Sequence, residues 1–128
     1  MLTRAWLIGF ATTLLFLTGC GGPTMAPVKG RITCKGKPVY QASVIFNPEP
    51  THEKDREPGK AGSGFTEKDG TYSISTYRNY DGAQVGKHKV TVSLDDSNPA
   101  RCARMKHFYL EVAPGSNELN IELDDNTK

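Results

Sequence analysis

Three cysteines, three histidines, two acidic pairs and a few tyrosines are the residues of this 128-residue chain whose types could do chemistry. A zinc site wants Cys or His at close, repeated spacing. Cys20, Cys34 and Cys102 form no CxxC, and His52, His88 and His107 share no i, i+2 or i, i+4 spacing. Lone histidines of this kind are surface or structural residues. Asp95-Asp96 and Asp124-Asp125 offer oxygens for calcium, but without EF-hand spacing they read as solvated strand ends. No serine sits in a G-x-S-x-G elbow, and no glycine-rich loop is placed to cradle phosphate. The expectation is therefore a protein without catalytic centre, metal or cofactor. Tyr40, Tyr77 and Tyr80 lie beside turn signals, where an aromatic ring stacks on a sugar or anchors a protein contact. Packing at the rim of the core is the alternative for all three.

The segments that position these residues begin with a leader. Residues 1–19 carry one positive charge at Arg4, then the apolar run "AWLIGFATTLLF", then small residues before Cys20. The run is short of the roughly 20 apolar residues that cross a bilayer, so it reads as an export signal. Leu17-Thr18-Gly19-Cys20 resembles a bacterial lipobox. That resemblance implies lipidation of Cys20. The thiol takes a diacylglyceryl group, the chain is cut before Cys20, and the new amine is acylated, palmitate included. Several acyl chains make the anchoring stable, because each buried CH₂ contributes about 0.8 kcal/mol. Gly21 stands where aspartate would retain such a protein at the inner membrane. In a two-membrane cell the resemblance thus implies the outer membrane, on its periplasmic or surface face. Residues 20–27, with "GGP" and a second proline, read as a flexible tether.

Lys and Arg number 16 against 14 Asp and Glu, a net charge of +2 with no basic block. That bias is too weak to argue for nucleic acid, and no nucleic-acid partner is expected. From Val28 the period becomes two. Val28, Gly30, Ile32 and Cys34 alternate with Lys29, Arg31 and Thr33. Then Tyr40, Ala42, Val44 and Phe46 share one face, as do Tyr72, Ile74 and Thr76 after the Lys68-Asp69-Gly70 turn. His88, Val90, Val92 and Leu94 follow, then Phe108, Leu110 and Val112, then Leu119, Ile121 and Leu123. The last two segments, joined by "APGSN", are expected to pair. Residues 48–62 are a charged, proline-rich loop. About seven short strands and no amphipathic helix predict an all-β fold, a single antiparallel Greek-key β-sandwich over 28–124 with a tail at 125–128. With Cys20 lipidated, Cys34 and Cys102 remain as an even pair in an exported domain, which favours a disulfide. Chain entropy gives that bridge about 4 kcal/mol.

"VKGRITCKGKPVYQASVIF", "GSGFTEKDGTYSI" and "VGKHKVTV" resemble the carboxypeptidase regulatory-like, transthyretin-like (prealbumin-like) domain. The resemblance runs over Val28 to Asp124. With the lipobox added, the chain resembles the small lipoproteins of this fold in planctomycete-type bacteria. The resemblance implies fold more than function, since such domains serve as accessory, adhesive or assembly modules. A purine-breakdown hydrolase of the transthyretin fold ends in Tyr-Arg-Gly-Ser. Here Tyr77-Arg78-Asn79-Tyr80 shares two letters in mid-chain, so that activity is not carried over.

The sequence reading is thus a non-enzymatic sandwich held at the cell envelope by its lipid anchor. Its partner is expected to be an envelope protein or a polysaccharide, met through residues 48–62 and 78–86. A carbohydrate-binding module is the nearest alternative, favoured by tyrosines in a row on one sheet face. A hydrolase is the other, favoured by His88, His107 and an acid in one cleft.

Overall fold

A computed structural model describes residues 24–50 and 59–124 of the chain. The leader, Cys20, His52, the middle of the charged loop and the tail at 125–128 lie outside the described residues. The strands, in chain order, are β1 (Met25–Ala26), β2 (Val28–Cys34), β3 (Lys37–Pro38), β4 (Ser43–Pro48), β5 (Gly62–Phe65), β6 (Thr71–Ser73), β7 (Ala83–Gln84), β8 (Gly86–Ser93), β9 (Met105–Val112), β10 (Asn117–Glu118) and β11 (Ile121–Leu123). Those of three residues or more are the seven expected. The others are two-residue extensions.

Two sheets face each other. One is antiparallel, in the order β5-β4-β8-β9. The other is built around β2, which takes β6 and β3 antiparallel and β10 and β11 parallel. Period-two alternation decides which side chains meet between them. Val28, Ile32 and Cys34 of β2 face Val44, Phe46, Val90 and Val92, with Ile74, Val112 and Leu123 completing the buried core. Where β5 meets β6 the two sheets nearly touch. Ser63 and Ser75 exchange main-chain hydrogen bonds of 2.9 and 3.0 Å, and a Cβ on Gly64 would collide with the Ser73 carbonyl.

Two expectations need correction. The final segments do not pair with each other. β9 stays in the antiparallel sheet while β10 and β11 cross to β2. Both segments carry an inward apolar face, and a crossover places one in each layer. The buried Asn117 makes the corner: its amide accepts from Ala113 N–H (2.9 Å) and donates to Ala113 O (2.8 Å) and Pro27 O (3.3 Å). The second correction concerns the tether. Met25 and Ala26 pair with Gln84 and Ala83, and Ala26 is buried, so ordered structure begins before Val28.

Cys34 and Cys102 are bridged, with Cα atoms 6.1 Å apart, inside the span a disulfide requires. The bridge ties the end of β2 to the segment before β9. It marks an oxidising, extracytoplasmic compartment. No helix among the described residues is long and apolar enough to cross a membrane.

His88 lies on the inward face of β8, 1 % exposed, with its ring 5.7 Å from that of Phe46. Its Nδ1–H donates to Gly86 O (3.0 Å), while Nε2 has no hydrogen-bond partner among the described residues. Burial holds its pKa below the ordinary 6.5, against smaller upward pulls from the Gly86 carbonyl and Glu49. Below pH 6.5 the unfolded chain takes up a proton that the folded chain refuses, so stability falls with pH from there. The urea midpoint is expected to drop as pH falls from 6.5 towards 5, and to stay flat there in His88→Leu. An equal slope in both proteins would refute this.

Candidate functional site

Three turns at the disulfide end of the sandwich build a cleft of about 560 Å³. The first is Lys35-Gly36, between β2 and β3. Both residues have positive φ (52° and 77°), the pairing that lets a two-residue hairpin follow strand twist. Gly36 N–H donates to the Glu122 carboxylate (3.1 Å). The second turn, Tyr40-Gln41, leads into β4. Gln41 is held at φ 59° while its N–H donates to Thr66 O (3.2 Å) and the next N–H, of Ala42, donates to Thr66 Oγ1 (2.8 Å). The third turn follows β8. Ser97 N–H and Oγ–H both donate to the Asp95 carboxylate (2.9 and 3.0 Å), which holds its pKa below the usual carboxylate range.

Asn98 locks the second and third turns together. Its buried side chain donates to Tyr40 O (2.7 Å) and accepts from Ala100 N–H (3.0 Å). The Arg104 guanidinium donates to the carbonyls of Asp95 and Asn98 (3.2 and 3.1 Å). The cleft is therefore preformed. Pro38, Tyr40 and Pro99 give it flat walls, and Lys35, Lys37 and Arg101 set cationic groups around it with Asp95 as the opposing acid. Tyr40 is 44 % exposed and also lines an adjoining cleft that contains Phe65, Glu67 and Ser93. Tyr40 is thus common to the two depressions.

The three tyrosines singled out in the sequence do not form one surface. Tyr77 and Tyr80 sit on a loop that leaves Thr76, whose hydroxyl lies beside Gly62 and so at the level of Phe46, well along β4 from Tyr40. Asp81 folds that loop by accepting from the N–H groups of Thr76, Tyr77 and Arg78 (2.7, 2.9 and 3.1 Å). Slight burial pushes its pKa up, but these bonds outweigh it and leave the group below its ordinary value. Lys60 Nζ lies 5.4 Å from the Tyr77 ring centre. Tyr80, at φ 60°, shares a shallow polar groove with Phe65. Of residues 78–86, only the first part is open surface, because Ala83 belongs to the core.

The histidines are not brought together either. His107 is on the outer face of β9, its Nδ1 within 2.9 Å of Thr91 Oγ1, while His88 is inside. No carboxylate among the described residues hydrogen-bonds to either ring. Among those residues, too, no three His, Cys, Asp or Glu side chains are grouped to hold a metal. Sequence reasoning did not single out Lys35, Lys37, Asn98 or Arg101. Asn98 and Arg101 fall in the segment "SNPARCARMK", whose fold depends on capping bonds that no periodicity announces. Lys35 and Lys37 flank a turn that was legible, but the cleft behind it depends on the third turn.

No family model and no curated protein matches the sequence. Solved structures do match the fold. A DUF3823 family protein from Parabacteroides merdae aligns over 81 % of this chain and 48 % of its own, with a TM-score of 0.54 and 17 % identity. The chain thus spans about half the length of that protein. The dioxygenase domain of a dioxygenase–carbohydrate-binding protein fusion from Streptomyces sp. SirexAA-E aligns over 85 % of both chains, with a TM-score of 0.50 and 14 % identity. At these identities what is shared is the β-sandwich fold.

Proposed function

We propose that this chain is a non-enzymatic binding module, exported and held at the envelope by lipid on Cys20, which presents the Tyr40 cleft to a partner. The observation that carries the reading is the preformed cleft at the disulfide end, with an exposed aromatic wall and a cationic rim. Sites that hold ligands are concave, largely preformed and lined by flat groups with a few placed charges. Of the partner classes expected from the sequence, an envelope polysaccharide bearing acidic groups suits this cleft best. A sugar ring stacks on Tyr40, and its carboxylates meet Lys37 and Arg101. The disulfide supports export, and the Leu17–Cys20 tetrad supports the anchor.

The test is binding of the mature chain to acidic and neutral envelope polysaccharides by calorimetry, with intact-mass analysis of the same sample. Tyr40→Ala is expected to weaken binding about tenfold or more while the unfolding midpoint holds. Arg101→Ala should weaken acidic glycans more than neutral ones. The mass should correspond to a chain starting at Cys20 with acyl groups added. Binding indifferent to Tyr40 and Arg101, or turnover of the bound glycan, would refute the cleft reading. A mature chain without lipid would refute the anchor and leave the cleft standing.

A further inference from the structure

We propose that the free edge of β9 pairs with β9 of a second copy of this chain, joining two sandwiches through one continuous antiparallel sheet. This goes beyond the binding reading and uses a different surface. The argument begins with where the main-chain groups of β9 point. Glu49 N–H donates to Lys87 O (2.9 Å), and Leu94 N–H donates to Arg104 O (2.8 Å). In an antiparallel ladder, bonded residues alternate sides. The odd-numbered residues of β8 therefore bond to β4 and the even-numbered ones to β9. In β9 the even residues Lys106, Phe108 and Leu110 face β8. The N–H and C=O groups of Met105, His107, Tyr109 and Glu111 point out of the sheet. No hydrogen bond from any described residue reaches them.

The opposite edge of this sheet is closed, because β5 bonds to Ser75 through Ser63. Among the described residues nothing pairs with the outer edge of β9, which runs over eight residues without a proline or a bulge. Exposed edges are usually blunted by such devices, since an unpaired row of donors and acceptors templates another strand. The side chains add to this. Tyr109 is 69 % exposed, and on the inner side Phe108 and Leu110 are only partly buried against the core.

Charge and shape choose the occupant. A twofold axis through Tyr109 sets His107 opposite Glu111 of the second copy, twice, and Tyr109 opposite its own equivalent. On the inner face Phe108 then meets Leu110 of the second copy, twice, covering apolar surface that each domain leaves half open. Cross-strand pairs of these kinds stabilise sheets. An axis through Phe108 instead sets Met105 against Glu111 and Lys106 against Leu110, and loses both gains. In the Tyr109 register the outward-pointing residues form the bonded pairs, with Cα atoms about 5.5 Å apart, a separation a disulfide spans.

The test uses the full-length chain in membranes, with mild oxidation and non-reducing gels. Wild type gives the baseline for any link through Cys20, Cys34 or Cys102. Tyr109→Cys is expected to give about tenfold more dimer than Lys29→Cys, which lies on the other sheet. Co-expressed His107→Cys and Glu111→Cys should link to each other, and neither to itself. Tyr109→Pro removes an N–H that faces solvent, so its own ladder stays intact. It should unfold at the wild-type midpoint but run as a monomer in detergent where wild type runs as a dimer. Equal linking of Tyr109→Cys and Lys29→Cys, or a wild-type dimer that survives Tyr109→Pro, would overturn the proposal.

Discussion

Replacing Cys34 and Cys102 together by alanine is expected to cost about 4 kcal/mol of stability. The bridge joins residues 68 apart, and closing a loop of that length removes much of the unfolded chain's freedom. Both cysteines are buried, at 8 % and 1 % exposed, so alanine avoids placing a new hydroxyl inside. Around 100 residues make a small core, and a loss of this size is a large share of the total. The loss should be measurable by urea unfolding of the oxidised wild type beside the double variant. Because Cys34 also lines the cleft, glycan binding should weaken in the variant even at temperatures where it stays folded. A cost below about 1 kcal/mol would mean that the bridge constrains little that the sheets do not already hold.

The inward faces were legible because period two survives in every long strand. Val28, Ile32 and Cys34 of β2, and His88, Val90 and Val92 of β8, point where alternation puts them. The bridge was legible from counting cysteines once Cys20 was assigned to the lipobox. Strand partners were not legible. Nothing local distinguishes a hairpin at "APGSN" from a crossover. The difference lies in the Asn117 side chain, whose bonds reach Pro27 across 90 positions. The site was half legible for the same reason. Tyr40 stood out as an aromatic beside a turn. Its cleft depends on the Asn98 side chain bonding to the Tyr40 carbonyl 58 positions away and on Arg104 bonding to the carbonyls of the third turn, contacts of polar side chains that leave no periodic trace.

Gly30→Ala should be among the most damaging single changes, at about 3 kcal/mol or more. Gly30 is a buried position at the centre of β2. A Cβ there would fall on the Leu119 carbonyl and within 2.9 Å of Tyr72 Cε1. The carbonyl is main chain, so no flexible side-chain end can swing aside. It is also fixed from both directions. Leu119 N–H donates to Lys29 O (2.8 Å), and Leu119 O accepts from the Tyr72 hydroxyl (2.5 Å). Tyr72 is 2 % exposed, and burial raises its hydroxyl pKa, so it stays a proton donor. The strand breaks between β10 and β11 at this point, where Asn120 Oδ1 takes the Arg31 N–H instead (3.0 Å). Tyr72 thus reaches over Gly30 to hold the carbonyl that the ladder releases. Tyr72→Phe leaves that carbonyl unpaired and should cost about 1–3 kcal/mol. The two changes act on one arrangement, so their costs should not add. In the double variant the alanine already separates Leu119 from Tyr72, and losing the hydroxyl should add little. Urea unfolding of wild type, both single variants and the double variant measures the coupling. Additive costs, or a Gly30→Ala protein as stable as wild type, would show that β10–β11 can move off β2 freely and that Tyr72 does not hold them there.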